Sequence, residues 1–160
     1  MDNKKYFGKY PGIVTRNIDP MMRGRITALV PHVLGEQEST WAEPCAPFGL
    51  FALPTVNAGV WIEFEEGDPG RPIWSGCRWR SADEIPYNET PYEKVLLVSK
   101  GGNKIILDDT SETAAILLET SGGQRIKLSQ IGVEIDNGYG ATIKLSGPIV
   151  KINEGALEIT

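Results

Sequence analysis

The chain has 160 residues, of which 41% are hydrophobic and 23% charged, and its formal net charge is −5. This length fits one ordinary domain or two small ones, and the composition is that of a globular protein. The acidic balance disfavours nucleic-acid binding, which normally needs a basic surface. The sequence has no apolar run long enough to cross a membrane and no signal-peptide pattern, so we expect synthesis and assembly in the cytoplasm.

Residues that could ligate a metal are few. His32 is the single histidine, and Cys45 and Cys77 are the two cysteines, far apart in the sequence. A zinc site typically needs four ligands at short spacings, so we predict no metal site. We expect both cysteines to be small buried apolar residues.

Four acidic side chains flank the turn at residues 67–70, and they could be taken for catalytic carboxylates. General acid–base catalysis needs two carboxylates at a defined separation in a cleft, whereas these residues surround a turn. We expect them to form a solvated or partner-facing rim. With one histidine there is also no basis for a nucleophile triad, so the sequence predicts no catalytic residue, no cofactor and no enzyme activity. The four residues are Glu63, Glu65, Glu66 and Asp68.

Residues 1–80 contain about five short strand candidates separated by turn residues such as Asp19-Pro20. Five short antiparallel strands in a segment of this length are typical of a small closed or partly closed barrel. The candidates are Gly12–Asn17, Gly24–Val30, a short or edge strand within Trp41–Pro47, Gly59–Glu65 and Pro72–Trp79.

Residues 81–93 are polar, contain Pro86 and Pro91, and predict a linker with a weak helical turn at Ala82–Glu84. From residue 94 the pattern changes to short apolar segments separated by Gly-rich turns. The first three are compact apolar runs, at Lys94–Val98, Lys104–Leu107 and Ala115–Leu118.

The last third of the chain repeats an apolar–polar–apolar step five times. Side chains alternate between the two faces of a strand, so each step places two apolar groups on one face and a charge on the other. The apolar positions are Ile126, Leu128, Val133, Ile135, Ile143, Leu145, Val150, Ile152, Leu157 and Ile159, and the charged ones are Lys127, Glu134, Lys144, Lys151 and Glu158.

A single ribbon of such short strands cannot cover its own apolar face. A single-chain β-helix needs about 20 residues per coil, so residues 94–160 would make very few coils. Three chains wound around one axis, with each strand supplying one wall before passing to the next, cover the face and protect the strand edges. We therefore predict that the ten apolar residues form the core of a homotrimer, with the charges in water. An alternative is one half of a β-sandwich that the N-terminal region closes.

Two regions of the chain resemble, in the same order, the domains of phage baseplate assembly protein V and of the VgrG spike proteins. The N-terminal segments resemble an OB-fold domain, and the C-terminal ones resemble a triple-stranded β-helix. The N-terminal segments are Tyr6–Tyr10, Gly12–Thr15, Asp19-Pro20, Gly24–Ile26, Val30-Pro31, Trp41–Cys45, Val60–Pro69 and Pro72–Cys77; the C-terminal ones are Gly138–Ile143 and Val150–Leu157.

The resemblance implies an all-β protein with an OB-fold barrel at 1–80, a linker at 81–93 and an intertwined triple-stranded β-helix of a homotrimer at 94–160. It also implies a non-enzymatic central spike of a contractile injection machine, such as a phage tail, a tailocin or an extracellular injection system. Such a spike docks on baseplate hub and inner-tube proteins and pierces the target envelope when the sheath contracts.

The resemblance further implies a separate PAAR-type tip protein at the blunt end of the spike, on Leu157, Ile159 and Thr160. Some relatives carry a lysozyme domain between barrel and stalk, and some hold iron through histidines near the tip. Residues 81–93 are too few for the first, and no histidine follows His32 for the second, so we expect neither.

The main alternative function is an OB-fold protein that binds single-stranded nucleic acid. Exposed aromatic residues on such a barrel could stack on bases. Because the chain is acidic, we expect the four tryptophans to serve instead in the barrel core and in trimer contacts. They are Trp41, Trp61, Trp74 and Trp79.

Overall fold

The computed structural model describes residues 4–86, 93–110 and 114–159, with only the backbone at residues 155, 158 and 159. Contacts divide the chain into two units, residues 1–85 and 86–160. Both units are built from strands, as predicted. The strands are β1 (Tyr10–Arg16), β2 (Thr27–Leu29), β3 (Glu43–Pro44), β4 (Gly59–Phe64), β5 (Pro72–Cys77), β6 (Lys94–Val98), β7 (Lys104–Asp108), β8 (Ala115–Glu119), β9 (Arg125–Ser129), β10 (Gly132–Asp136), β11 (Thr142–Ser146), β12 (Ile149–Ile152) and β13 (Leu157–Ile159).

The first unit is a five-stranded barrel in the order β2-β1-β4-β5-β3. Two isolated bridges, Ile26 to Ala42 and Leu29 to Glu38, pair the segment before β3 with the β2 region. The Ala42 N–H donates to the Ile26 carbonyl at 2.7 Å, so the sheet closes on itself. Closure removes the free sheet edges that a five-stranded open sheet would expose.

Two features of the barrel differ from the sequence prediction. Strand β3 runs parallel to β5, pairing Glu43 with Ile73, whereas we expected antiparallel strands throughout. A short helix, α1 (Pro31–Leu34), follows β2 and was not predicted. The predicted turn at Ala82–Glu84 is present as one turn of 3-10 helix.

Alternating side chains of the strands fill the barrel. On β4, the side chains of Val60, Ile62 and Phe64 are buried, and Trp61 and Glu63 face outward. Together with residues of the other strands they form one closed apolar core. The remaining buried members are Val14, Ile26, Ala28, Val30, Ala42 and Trp74.

The prediction that both cysteines are buried is wrong, since Cys45 and Cys77 are exposed thiols. On β5 the side chains of Pro72 and Trp74 point into the barrel, but a shift in register interrupts the alternation between Trp74 and Cys77, and Cys77 is exposed at the end of the strand. Cys45 follows the short β3 at the point where the chain leaves the sheet, and its N–H donates to the Trp74 carbonyl at 2.8 Å. Position along the strand, rather than residue type, therefore decides the exposure of both thiols.

A buried ion pair holds the loop between β1 and β2. The Asp19 carboxylate is almost fully buried, and Arg25 donates to both of its oxygens, at 3.0 Å from Nε and 2.7 Å from Nη2. The backbone N–H groups of Met21 and Arg23 donate to the same carboxylate at 2.9 and 2.8 Å. The Arg25 guanidinium also lies 5.7 Å from the centre of the Trp41 ring. Because the carboxylate satisfies these donors, it organises the loop into one conformation.

The second unit is a single eight-stranded sheet in the order β13-β12-β11-β10-β9-β8-β7-β6. Every strand pairs antiparallel with the strand before and after it in the chain. All eight predicted segments are strands, so the all-β prediction holds. The path differs from the expected one, because consecutive strands stay in one wall as hairpins instead of passing from wall to wall. The connections are two to six residues long, and connections this short return the chain to a neighbouring antiparallel strand.

Gly132 allows the closest backbone approach in this sheet. Its φ is +142°, and a Cβ placed on it would lie 1.8 Å from the Leu145 carbonyl oxygen on the neighbouring β11. A side chain at this position would therefore force β10 and β11 apart.

Asp19→Asn should destabilise the barrel and reduce its sensitivity to acid. The hydrogen bonds from Arg25 and from the backbone hold the pKa of Asp19 well below its ordinary value of 3.8. The ionised carboxylate therefore stabilises the barrel fully above about pH 4, and this contribution is lost as the pH falls below that. All four tryptophans lie between residues 41 and 79, so their fluorescence follows the barrel during acid and thermal unfolding. Asp83→Asn, at an exposed position, is the control. If Asp19→Asn and the wild type unfold at the same pH midpoint, the Asp19 carboxylate does not contribute to the acid sensitivity of the barrel.

Gly132→Ala should destabilise the second unit by about 1–3 kcal/mol, because it combines an unfavourable φ with a backbone clash. Gly140→Ala is the matched control, since Gly140 also has a positive φ but a Cβ there would meet nothing within 4 Å. Thermal unfolding followed by far-UV circular dichroism compares the two. If both variants unfold at the same temperature, crowding at Leu145 is not what selects glycine.

Candidate trimerisation surface

Strand register aligns the apolar residues of the second unit on one face of its sheet. Two columns run across all eight strands, and both face the same side because they are separated by one residue on each strand. The first column is Val95, Leu107, Ile116, Leu128, Val133, Leu145, Val150 and Ile159. The second column is Leu97, Ile105, Leu118, Ile126, Ile135, Ile143, Ile152 and Leu157.

We call these sixteen positions the apolar face. Most of its side chains stay exposed in the single chain, from 61% for Val95 to 37% for Ile126. Soluble proteins rarely leave a contiguous apolar surface of this extent in water, because hydration of each exposed side chain costs free energy. The geometry of the sheet therefore requires a cover for this face.

The ten residues predicted for a trimer core hold ten of these sixteen positions, Ile159 by the register of its backbone alone, and their role as a trimer core stays a prediction. The other six positions lie on the first three strands of the sheet and were not among the predicted residues. There the central residues Leu96, Ile106 and Leu117 are also apolar, so the alternation that marks the later strands is hidden. These six positions can be identified by following the strand pairing from the later strands back to the first three. The six are Val95, Leu97, Ile105, Leu107, Ile116 and Leu118.

The opposite face of the sheet carries the charged residues, many of which form ion pairs between strands. Lys104 contacts Glu119 at 3.2 Å, and Arg125 contacts Glu134 at 3.0 Å. The central column continues from Leu117 as the charged residues predicted to face water, in the order Lys127, Glu134, Lys144, Lys151 and Glu158. From β9 onward the sheet thus has one face suited to a dry core and one suited to solvent, whereas on β6, β7 and β8 the central positions of the second face are the apolar Leu96, Ile106 and Leu117.

A hydrogen bond at 2.8 Å joins the Lys144 ammonium on this face to Glu154 and raises its pKa. The ammonium therefore stays charged at neutral pH. Lys144 is followed along the same strand by Leu145 on the apolar face, so adjacent residues meet opposite environments.

The predicted end of the spike lies at β13. Leu157 is half exposed and belongs to the apolar face, and the backbone of Ile159 pairs with Val150. In the described sheet β13 pairs with β12 alone, so its outer edge is free in the single chain. Thr160, the third predicted tip contact, lies outside the described residues.

Three of the four acidic residues around the turn at 67–70 lie beside cations, and the fourth, Asp68, accepts a hydrogen bond from the Gly70 N–H at 2.9 Å. Lys9 and the Ser75 hydroxyl contact Glu63, and the hydrogen bond from Lys9 lowers the pKa of that carboxyl group. Arg71 contacts Glu65 at 2.6 Å and Glu66 at 3.8 Å. Within the residues that the structure describes, no group of three or more His, Cys, Asp or Glu side chains is placed to hold a metal ion.

Most tryptophan rings of the barrel are covered. Trp74 is buried and donates from Nε1 to the Gly24 carbonyl at 3.1 Å. Trp41 lies under the guanidinium groups of Arg16 and Arg25, and Trp61 lies under that of Arg78. Trp79 is largely exposed. Trp79 is thus the one tryptophan with a largely exposed ring, so the tryptophans do not form a series of open rings on which successive bases could stack.

A small closed barrel followed by a sheet with one wholly apolar face is typical of an all-β protein that assembles with other chains through that sheet. The family comparisons agree with both parts. Residues 10–79 match the family described as the type VI secretion system/phage-baseplate injector OB domain, and residues 94–158 match the phage baseplate V C-terminal trimerisation domain. The chain therefore belongs to the family of phage baseplate V and VgrG-type spike proteins.

Two relatives come from Pseudomonas aeruginosa. A type VI secretion system spike protein, VgrG5, is 40% identical over 53 residues, which are 33% of this chain and 7% of the relative. Another spike protein of that system, VgrG4b, is 35% identical over 69 residues, which are 39% of this chain and 8% of the relative. The chain thus matches less than a tenth of the length of these curated relatives.

Family membership supports a homotrimer, a structural role and a place in an injection particle. The trimerisation domain coincides with the sheet that carries the apolar face, which favours a trimer over a sandwich closed by the N-terminal region. Across the described part of the chain, no helix has the length and apolar character needed to span a membrane.

Ile143→Asp or Ile152→Asp should prevent trimer formation. These residues are cross-strand neighbours on the apolar face, and three symmetry-related carboxylates would lose water together at a cost of several kcal/mol each. Native mass spectrometry or light scattering should give about 17.5 kDa instead of three times that mass. Ser146→Asp is the matched control, because it places the same charge on β11 but on the opposite, exposed face. Normal trimers of both core variants would rule out the apolar face as the interface.

Proposed function

We propose that three copies of this chain form the central spike of a contractile injection machine. The observation that carries the proposal is the apolar face of sixteen residues, which coincides with a trimerisation domain. Three such sheets, with their apolar faces turned inward, make a three-walled prism with a dry axis. The ten predicted core residues and the six from the first strands line this axis, and the ion-paired faces point to solvent.

Rigidity along the axis is the mechanical property that the proposed role requires. Strands lie about 4.8 Å apart, so eight strands make walls nearly 40 Å long. Each wall is bonded along its whole length by backbone hydrogen bonds, and the three walls share one core. Bending or splaying such a prism breaks many contacts at once, so it can transmit force when the sheath contracts and drive the spike through the target envelope.

The barrel would dock on hub and inner-tube proteins of the baseplate. Two adjacent loops support this role, residues 17–24 and 45–54, which together expose a group of large apolar side chains. The Asn17 amide donates to the Pro54 carbonyl at 2.9 Å, and a Cβ at Gly24 would lie 3.2 Å from the Phe51 ring, so the loops lie side by side. The exposed members are Ile18, Met21, Met22, Phe48, Leu50 and Phe51.

The ion pair between Asp19 and Arg25 makes the first of these loops suitable for docking. It orders the loop before binding, so little conformational entropy is lost on docking. Methionine and phenylalanine are enriched at protein interfaces, where their large apolar side chains fill pockets of the partner. A hub protein with an apolar recess is the partner that fits this surface.

The distal end would carry a separate tip protein of the PAAR type. The free edge of β13 and the side chain of Leu157 support this part of the proposal, since an added strand or loop can pair with the edge and cover the apolar column. Ile159 and Thr160 belong to the same proposed contact.

Met22→Asp and Phe48→Asp should impair docking without affecting the trimer. Both side chains are almost completely exposed, so the substitutions leave the barrel core intact. Each should weaken binding to the hub protein of the same machine about tenfold or more, the effect of losing one hot-spot residue. Binding is measured by biolayer interferometry with purified trimer and hub, and particle assembly by electron microscopy of complemented deletion strains.

Ser146→Asp serves as the control that should bind normally. Unchanged hub affinity in both barrel variants would exclude these loops as the docking site. A deletion strain that still assembles infectious or active particles without this chain would exclude the spike role itself.

A further inference from the structure

The two lateral edges of the eight-stranded sheet have different shapes. At one edge the strands are joined by loops of four or five residues, at 99–103, 120–124, 137–141 and 153–156. At the other edge the two connections between β9 and β12 are only two residues long, at 130–131 and 147–148, whereas the third connection, at 109–114, has six residues. We call these the long-loop edge and the short-turn edge.

The loops of the long-loop edge are fixed to one another. The Ser121 N–H donates to the Asn103 side chain at 3.1 Å, and the Thr142 N–H donates to the Asn153 side chain at the same distance. A Cβ at Gly138 would lie 3.1 Å from the backbone of Gly123, so these loops also pack closely. The long-loop edge is therefore a continuous ledge and not a set of independent loops.

Each edge presents a large, exposed apolar side chain at its tip. Ile131, in a two-residue turn of the short-turn edge, is 80% exposed, and Tyr139, in a loop of the long-loop edge, is 82% exposed. The Asn137 side chain accepts hydrogen bonds from the N–H groups of Tyr139 and Ala141 at 2.9 and 3.0 Å and so holds this loop in shape. Five-residue strands separate the two tips by about 16 Å, so Ile131 and Tyr139 of one chain cannot touch.

Threefold symmetry brings these edges together between chains. In a closed cyclic trimer every contact is heterologous, so one lateral edge of each sheet meets the other lateral edge of its neighbour. Rotation about the axis involves no translation, and equivalent residues lie at the same height. The turn of Ile131 joins β9 to β10 and the loop of Tyr139 joins β10 to β11, a difference in height of about one strand spacing, 4.8 Å. A tyrosine side chain spans that distance.

We infer that the long-loop ledge of each chain covers the short-turn edge of the next, with Tyr139 packing on Ile131 of a second copy at each corner of the prism. This inference rests on the proposed function only through the trimer. The unequal turn lengths make the contact directional, because a ledge fits a recessed edge, whereas two ledges or two recessed edges do not fit. The corner contact seals the apolar core where the three walls meet and fixes the register between chains.

Disulfide cross-linking of the full-length chain tests the corner contact. Cys45 and Cys77 are first replaced by serine, since both are exposed. I131C/Y139C should then form links between chains on mild oxidation, and the monomer band should shift to covalent dimer and trimer on non-reducing gels. The single variants I131C and Y139C should stay monomeric there, because equivalent residues lie at different corners.

A matched double variant controls for random collision. K100C/I131C places the first cysteine in the exposed loop at 99–103, which joins β6 to β7, three strand spacings from the height of Ile131. This variant should not cross-link. Mixed trimers of I131C and Y139C chains should yield covalent dimers, which shows that each link joins two different copies.

Native mass spectrometry of the same samples distinguishes failure of the corner contact from failure of the trimer. Trimeric I131C/Y139C that does not cross-link, or that cross-links no better than K100C/I131C, overturns the corner contact and leaves the trimer standing. Cross-linking of the single variants to the same extent would overturn the directional arrangement. A wild-type chain that is monomeric in solution would refute the trimer on which the inference rests.

Discussion

Burial of the apolar face is the constraint on which the second unit depends. An antiparallel sheet commonly has one face in the core and the other in water, and the covering layer is normally a second sheet or a helix of the same chain. The described residues between 94 and 159 supply eight strands in a row and no second layer of their own. The cover must come from elsewhere, and copies of the same face are the surfaces that match it in chemistry, length and register. Because folding of this unit and assembly then bury the same surface, its stability is coupled to chain concentration.

The barrel has no such dependence. Its strands close through the bridges at Ile26 and Leu29, and the inward side chains fill the interior with apolar groups from all sides. One polar feature is buried at its margin, the Asp19 carboxylate, and it is satisfied by Arg25 and by backbone donors. A self-sufficient barrel can expose apolar loops without losing its fold. This separation of tasks suits the proposed spike, in which the first unit would dock on other proteins and the second unit would associate with its own copies.

The difference between the two faces of the sheet also constrains the register in which its short strands pair. Neighbouring residues such as Ile143 and Lys144 face opposite environments, so a shift of one residue in strand pairing would place charges in the core. The turns prevent that shift, because the two-residue connections at 130–131 and 147–148 are too short to allow another pairing of the strands that they join. Gly132 permits the close approach of β10 and β11 that this pairing needs. The register that defines the apolar face is thus set by the turns as well as by the side chains.

Alternation with a period of two is a local property, so the sequence alone was enough to predict the strand composition, a change of character near residue 94 and ten members of the apolar face. Which strands lie side by side is seen only in the folded chain. The fold places consecutive strands as hairpins in one wall, pairs β3 parallel with β5, and leaves both cysteines exposed. It also adds six residues of the first three strands to the apolar face, where Leu96, Ile106 and Leu117 hide the alternation. Strand pairing joins residues through non-local hydrogen bonds, so a local pattern specifies which face a side chain takes without specifying which strand lies beside it.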